Sequence, residues 1–425
     1  MASRSIREYD GKKILDLHFR EFSTTDCFVA NPCVQLSAAT DLDAVVAEHP
    51  WLLNSKLVAK PDQLIKRRGN SNLVLLNAGW DEVVRWVFEH MNKSVAVDGI
   101  TGILDTFIVE CFVPHEVKYE YYLAIRSVRE GDEILFFRQG GVEIGDVDSI
   151  SEKIVVKVFD DIDALDLDSK LLKDIGVERR PVIASFIKSL YKLYVAAGFS
   201  YAEINPLAFV DGRIVVLDFA AKLDDTAEFE GGKLWAGLTF PPPFGRLSTN
   251  EERHINHLDA QSGASLKFTV LNPQGRVWTM VAGGGASVIF ADTVVDLGYG
   301  EELANYGEYS GNPTDEETYD YARTVIGLMT QELDPKGREK ILLIGGGIAN
   351  FTDVAKTFNG ICRAIKEYSE ALKRVKAKIY VRRGGPNYVE GLSKMQQLGL
   401  ELGLPMEVYG PELHMTKIVS KALTV

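Results

Sequence analysis

The sequence predicts an α/β protein of more than one domain, and three observations carry that expectation. Short β-rich runs alternate with amphipathic segments, three later runs end in glycine clusters, and one triproline stretch interrupts the pattern. At 425 residues the chain exceeds one ordinary core, so two to three domains are expected.

In chain order, Ile6, Ile14, Leu15, Leu17 and Phe19 give a short helical face. Leu57 to Ala59 reads as a strand ending at Lys60-Pro61, before the basic loop Lys66-Arg67-Arg68-Gly69-Asn70-Ser71. Strands follow at 73–76, 106–112, 121–127 and 133–137, with helices at 80–90 and 181–197. Tyr201 to Leu207 and Arg213 to Asp218 alternate in hydrophobicity and are joined through Asp211-Gly212, a hairpin signal. Pro241-Pro242-Pro243 can continue neither a helix nor a central strand, which predicts a domain boundary, with domains at 1–240 and 246–425.

Beyond the boundary a doubly wound sheet is expected. Its strands at 277–281, 341–344 and 379–381 run into Gly283-Gly284-Gly285, Gly345-Gly346-Gly347 and Arg382-Arg383-Gly384-Gly385. Helices are predicted at 318–328, 354–373 and 389–401. Open parallel sheets bind ligands at such strand ends.

Composition narrows the function classes. A formal net charge of -13 disfavours nucleic-acid binding, which needs a basic face to replace phosphate counterions. Cys27, Cys33, Cys111 and Cys362 show no CxxC spacing and read as reduced thiols of a cytoplasmic protein. The first residues lack an apolar signal region, and no apolar stretch approaches the roughly 18 to 20 residues of a membrane helix.

Lys60 at a strand end beside the Arg67-Arg68-Gly69 loop has the chemistry to hold nucleotide phosphates. Spacing alone equally describes a solvated basic turn, and favours it. Asn205 and Asp218 place oxygen ligands near one end of the hairpin, suited to Mg²⁺, against a null of ordinary strand-edge polarity. The glycine loops do not match GxGxxG with a downstream acid, which disfavours a dinucleotide. They do offer bare N–H groups, with Asn350 and Thr352 at a helix start and Arg383 on a neighbouring strand end, a set suited to a small polycarboxylate. None of the seven histidines lies in a glycine-rich loop, and His254 with His257 reads as a solvated helix face.

Several strings resemble the ATP-citrate lyase family: 60–69, Phe107 to His115, Ser265 to Pro273 into Val281 to Val288, Ile348 to Val354, and Val381 to Tyr388. The resemblance runs in order from about Ile6 to the C-terminus, and the layout is more distantly similar to the β subunit of succinyl-CoA synthetase. It implies an ATP-grasp domain followed by a flavodoxin-like, citrate-binding domain. By the same resemblance Lys60, Arg68, Gly69, Cys111, Val113 and Glu120 contact ATP, and Asn205 and Asp218 bind Mg²⁺. It also implies a second cation position at Asp259, Ser262 and Ala264. Citrate falls to Ser310, Gly311, Asn350, Thr352, Tyr368 and Arg383. Cys111 stands where the family usually has proline, a change that a backbone contact survives.

The function implied is the ATP- and citrate-binding subunit of an acyltransferase that makes acetyl-CoA and oxaloacetate from citrate, CoA and ATP, feeding lipid biosynthesis. No counterpart is found here of the family's phosphohistidine, CoA site or cleavage module. The expected partner is therefore a succinyl-CoA synthetase α-like, citrate synthase-like chain in a hetero-oligomer. Two rivals remain: a citryl-CoA or succinyl-CoA synthetase β-like subunit, and a non-catalytic citrate or nucleotide sensor.

Overall fold

A computed structural model of the chain describes residues 3–65, 68–141 and 147–423. It divides into two compact units, Met1–Leu247 and Ser248–Val425.

The first unit opens with strand β1 (Ser3–Ile6) and helix α1 (Glu8–His18), so Ile6 belongs to a strand rather than to the helical face expected for it. Strands β2 (Cys33–Ser37), β3 (Leu57–Pro61), β4 (Leu75–Ala78) and β7 (Thr106–Cys111) form a four-stranded antiparallel sheet in the order β2-β7-β3-β4. Helix α2 (Trp80–His90) packs on this sheet, with Asp81 and Glu82 in its first turn and His90 in its last, matching the helix dipole. The hairpin β5 (Ser94–Val97) and β6 (Ile100–Ile103) precedes β7.

The larger antiparallel sheet contains β8 (Glu120–Val128), β9 (Gly131–Phe137), β10 (Glu152–Lys157), β11 (Phe199–Val210), β12 (Arg213–Val216) and β13 (Phe219–Asp224). With β1 it runs β1-β13-β11-β8-β9-β10, and β12 pairs the far end of β11. Helix α3 (Arg180–Ala196) buries Ile183, Phe186, Ile187, Leu190 and Leu193 against it, the face its periodicity predicts.

Two local differences from expectation bear on the site. The β structure expected at 73–76 begins at Leu75, because Leu73 N–H donates to the Arg68 carbonyl and closes the turn Arg68–Ser71. Lys66 and Arg67 of the basic loop lie outside the described residues. The second hairpin strand also stops at Val216. Leu207–Val210 pairs with β12 while Phe199–Ile204 pairs with β13, so Asn205 and Asp218 both fall at the break between them.

The second unit has helix α4 (Asn250–Gln261) and strands β14 (Ser265–Val270), β15 (Val277–Ala282), β16 (Asn305–Ser310), β17 (Ile341–Gly346), β18 (Lys378–Arg382) and β19 (Met406–Tyr409). The sheet order is β14-β16-β15-β17-β18-β19, antiparallel only at β14. Numbered from β15, the parallel strands run 2-1-3-4-5, the flavodoxin-like order, with its switch point between β16 and β17 on either side of β15. Helices α5 (Gly284–Asp296), α6 (Asp315–Met329), α7 (Val354–Glu367), α8 (Tyr388–Leu402) and α9 (Lys417–Leu423) cover the two faces.

The helix expected over 354–373 breaks at Tyr368, whose ring lies over Gly327 where no Cβ intervenes. Strand β16 escapes sequence patterning because its first residue is a fully buried asparagine. Asn305 is satisfied across the sheet, accepting from Thr279 N–H and donating to the Thr279 carbonyl. Among the described residues, no helix is long and apolar enough to cross a membrane.

Candidate functional site

In the first unit the lysine and arginine singled out from sequence are not on a solvated turn. Lys60 and Arg68 are 4% and 8% exposed. Lys60 lies on β3 opposite Ile108 of β7, so Glu110, two residues along β7, projects on the same face. Glu8 and Lys12 sit one helical turn apart on α1 and reach the same point. Lys60 Nζ lies 2.7 Å from Glu8 Oε1 and 3.0 Å from Glu110 Oε1. Lys12 Nζ lies 2.8 Å from Glu8 Oε1 and also pairs with Glu110 Oε2. Arg68 Nη2 bridges Glu8 Oε2 and Asp218 Oδ2, the latter at 2.7 Å, while its Nη1 donates to the Pro61 carbonyl.

Burial alone pushes the Glu8 carboxyl up, but Lys12, Lys60 and Arg68 outweigh it and hold Glu8 well below the usual carboxylate range. The same compensation raises Lys12 and Arg68 above their ordinary values despite burial. Glu8, Lys12 and Arg68 are thus held in their charged forms. The cluster's one solvent-facing member is Asp218, whose side chain is 35% exposed.

The remaining predicted residues of this unit line the edge of that cluster. Gly69 is exposed in the turn after Arg68. Cys111 and Val113 lie where β7 leaves the smaller sheet for β8 of the larger one. The Cys111 carbonyl accepts from Asn31 Nδ2 at 3.0 Å and the Val113 carbonyl contacts His115 Nδ1, while the Val113 N–H has no partner among the described residues. Glu120 contacts His115 Nε2 through Oε1, and its Oε2 lies against Gly141. Asn205 Oδ1 accepts from Gly141 N–H at 2.7 Å, and Asn205 N–H donates to the Asp218 carbonyl at 3.2 Å. Asn205 and Asp218 are thus joined through the main chain, and their side chains carry an amide oxygen and a carboxylate. That hard-oxygen pair suits a divalent cation that keeps water and phosphate in its other positions.

In the second unit the glycine loops gather at the carboxyl end of the parallel sheet. Arg383 follows β18, is 5% exposed, and its Nη1 donates to the Gly347 carbonyl at 2.8 Å. Among the described residues no carboxylate pairs with it. Burial, reinforced by Arg382, pulls its guanidinium below the ordinary arginine value. Gly346 lies beside it: a Cβ there would fall 2.5 Å from Arg383 Nη1. Ala349 N–H donates to the Gly384 carbonyl, drawing the loop that carries Asn350 and Thr352 toward Arg383. Ser310 and Gly311 end the neighbouring strand β16, and Gly283 N–H donates to the Tyr309 carbonyl, joining the third loop. The Tyr309 hydroxyl is buried without a partner among the described residues.

Two expectations need correction. The helix after Gly347 starts at Val354, and its N-terminus is already satisfied by Asp353, whose carboxylate accepts from Lys356 N–H at 3.0 Å. Helices α5, after Gly283, and α8, after Gly385, both start without a side-chain cap, and Glu308 lies close beside Gly284. Tyr368 caps the far end of α7, roughly 20 Å along the helix from Thr352 at 1.5 Å per residue, and lines a separate cleft of about 620 Å³ with Arg323, Arg374 and His254. At the expected second cation position, Asp259 already accepts from Leu266 N–H at 2.7 Å and Lys267 Nζ at 2.6 Å, and Ser262 Oγ accepts from Ala264 N–H. These bonds tie α4 to β14. His254 and His257 are exposed on α4.

Sequence reading missed Glu8, Lys12 and Glu110. A signal was present: a Glu-Lys pair at i, i+4 in a segment entering a buried helix, and one acid inside the apolar run Thr106 to Cys111.

An antiparallel first unit with buried cations beside the connector of its two sheets, followed by a flavodoxin-like doubly wound sheet, is the arrangement of an ATP-grasp protein with a second α/β module. Residues 2–235 match the family described as ATP-citrate synthase ATP-grasp domain, and residues 246–425 match ATP citrate lyase citrate-binding. The chain belongs to the ATP-citrate synthase family. It is 48% identical over 425 residues to ATP-citrate synthase of Homo sapiens, covering all of this chain and 38% of that protein. It is 45% identical over 484 residues to the probable ATP-citrate synthase subunit 2 of Schizosaccharomyces pombe, covering 98% of that protein. A solved structure of ATP citrate lyase from Methanothrix soehngenii in complex with citrate and coenzyme A matches the whole chain with a TM-score of 0.88 and 49% identity. The chain thus spans well under half of its human relative and nearly all of the yeast subunit.

Proposed function

We propose that this chain is the ATP- and citrate-binding subunit of an ATP-citrate lyase, acting with a partner that carries a phosphorylatable histidine, the CoA site and the cleavage module. The observation that carries the reading is Arg383: a buried guanidinium without a carboxylate partner among the described residues, at the confluence of three glycine-rich loops. Burying an unpaired cation is costly, and a carboxylate ligand recovers that cost through a two-pronged hydrogen-bonded pair. Asn350 and Thr352 supply neutral donors on one side, and the uncapped start of α5 supplies N–H groups on the other. Glu308, near that helix end, sets how much negative charge the cradle accepts.

In the first unit the Val113 N–H and the Cys111 carbonyl face the adenine edge, and Glu120 the ribose. Lys60 and Arg68 neutralise phosphate oxygens. Asn205 and Asp218 hold Mg²⁺, which when bound supplies further neutralisation of the phosphates. The chain's contribution to the reaction is placement and charge: it fixes the nucleotide and the acid, and the covalent relay runs through the partner.

Calorimetric titration of the chain with citrate, succinate and ADP–Mg²⁺ tests the reading. Citrate binding that disappears in Arg383→Ala, with independent ADP binding, is the expected result. Nucleotide binding without citrate, or a preference for succinate, would replace it with an acyl-CoA synthetase β-like subunit.

A further inference from the structure

We propose that Glu8, with Lys12 on the same face of α1, is the positioning residue that sets Lys60 and Arg68 for the nucleotide phosphates. The proposal rests on the reading of those two cations as phosphate ligands and names what holds them in place.

Three cations converge in the first unit, Lys12, Lys60 and Arg68, and two closed-off carboxylates, Glu8 and Glu110, face them. One positive charge is left over from the fully buried set. Asp218, the partly exposed member, answers it through Arg68 at 2.7 Å and stands 3.8 Å from Lys60 Nζ. Lys60 and Arg68 are thereby the two cations that adjoin the partly exposed Asp218, on the side where a phosphate would arrive.

Glu8 holds that arrangement together. Its Oε1 receives Lys12 and Lys60 while its Oε2 receives Arg68, so one carboxylate fixes the separation between the two cations. Glu110 reaches Lys60 and Lys12 but forms no ion pair with Arg68 among the described residues, and Asp218 sits on the solvent side. Lys12 does not reach the open side. It anchors Glu8 and Glu110 from behind and donates to the Leu217 carbonyl at 2.9 Å. Lys60 donates to the same carbonyl at 2.8 Å, which ties the cluster to the turn that carries Asp218.

This makes a prediction opposite to that of simple charge counting. If Glu8 acted only through its charge, removing it would leave more positive potential and tighten anion binding. If it acts by placement, shortening it while keeping its charge weakens phosphate binding, since Lys60 and Arg68 lose their common anchor.

The test uses the full chain and the variants Glu8→Asp and Glu8→Gln. ADP–Mg²⁺ binding is followed by calorimetry, adenosine binding by ligand-observed NMR, and folding by thermal melting. Glu8→Asp keeps both the charge count and the helix, so it remains informative if Glu8→Gln does not fold. The expected result is a loss of ADP affinity on the order of tenfold or more in Glu8→Asp, with adenosine binding unchanged. ADP affinity that is unaltered in Glu8→Asp, or tighter in a folded Glu8→Gln, overturns the proposal. So does a parallel loss of adenosine, which would mark a general collapse of the pocket. Failure of the unaltered chain to bind ADP is a separate outcome: it removes the nucleotide reading beneath the proposal, and the proposal with it.

Discussion

The two units solve the problem of holding an anion in opposite ways. In the first, Lys60 and Arg68 are buried with their countercharges, and carboxylates supply the order. In the second, the buried Arg383 guanidinium donates to the Gly347 carbonyl and pairs with no carboxylate among the described residues, and the order comes from glycine loops that let main chain approach closely. The first arrangement has its charges paired whether or not ligand is present. The second is a standing cost that a ligand relieves. Functional cations therefore need not be weak points of a fold; what decides is whether their partner is built in.

That contrast is open to direct attack. The largest effect is expected for Arg68→Ala, which strips a partner from Glu8 and Asp218. Breaking a buried pair costs about 3 kcal/mol or more, so chemical denaturation should report a destabilised first unit together with lost nucleotide binding. Unchanged stability would mean that the cluster is ornamental to the fold. Next comes Arg383→Ala, expected to lower citrate affinity by about 100-fold, equivalent to about 2.7 kcal/mol, in calorimetry. Its folding stability should hold or rise, because no carboxylate is left unpaired. A large destabilisation would erase the distinction between the two units.

A third experiment concerns Asp10, a buried carboxyl in the first unit that does not share the cations. Burial first, and Asp62 second, push it up to about 6, and its Oδ2 has no partner among the described residues. Its folded value lies above the unfolded one near 3.9, so the folded state keeps a proton that the unfolded state gives up. Stability from this group is present below pH of about 4 and is lost as pH rises to about 6. Asp10→Asn should therefore stabilise the chain by about 2 kcal/mol at pH 7.5 and leave it unchanged at pH 4, read from denaturation midpoints. The smallest effect is Asp353→Ala. It removes the cap of α7, should cost about 1 kcal/mol in the second unit, and should leave Arg383 and citrate affinity nearly untouched.

The same contrast explains what could be read in the sequence. The glycine clusters at 283–285 and 345–347 are legible because close backbone approach and tight turns demand glycine at those places, and the β15 and β17 runs beside them are fully buried and apolar but for Thr279. Helix α2 is legible to its ends, over 80–90. The start of α6 was misjudged by three residues because the periodicity begins at Thr318, whereas the capping box Thr314–Glu317 begins the helix earlier. The ionic cluster was only half legible. Its members come from α1, β3, the turn at Arg68, β7 and the β12–β13 break, and no local pattern records that these elements meet. Tyr368 shows the limit of carrying roles across a resemblance. A helix of 14 residues separates it from the other candidate citrate contacts, a distance that spacing in sequence makes plain once the helix is recognised.

The shared acceptor at Leu217 has a mechanical consequence. Two ammonium groups grip one main-chain oxygen immediately before Asp218, so the turn cannot swing outward without lengthening both bonds together. The carboxylate at its tip can rotate, but its pivot is clamped. Reorganisation on ligand arrival is thereby confined to side-chain torsions, a fast and short-range motion, and the backbone of the turn behaves as a fixed bearing rather than a hinge.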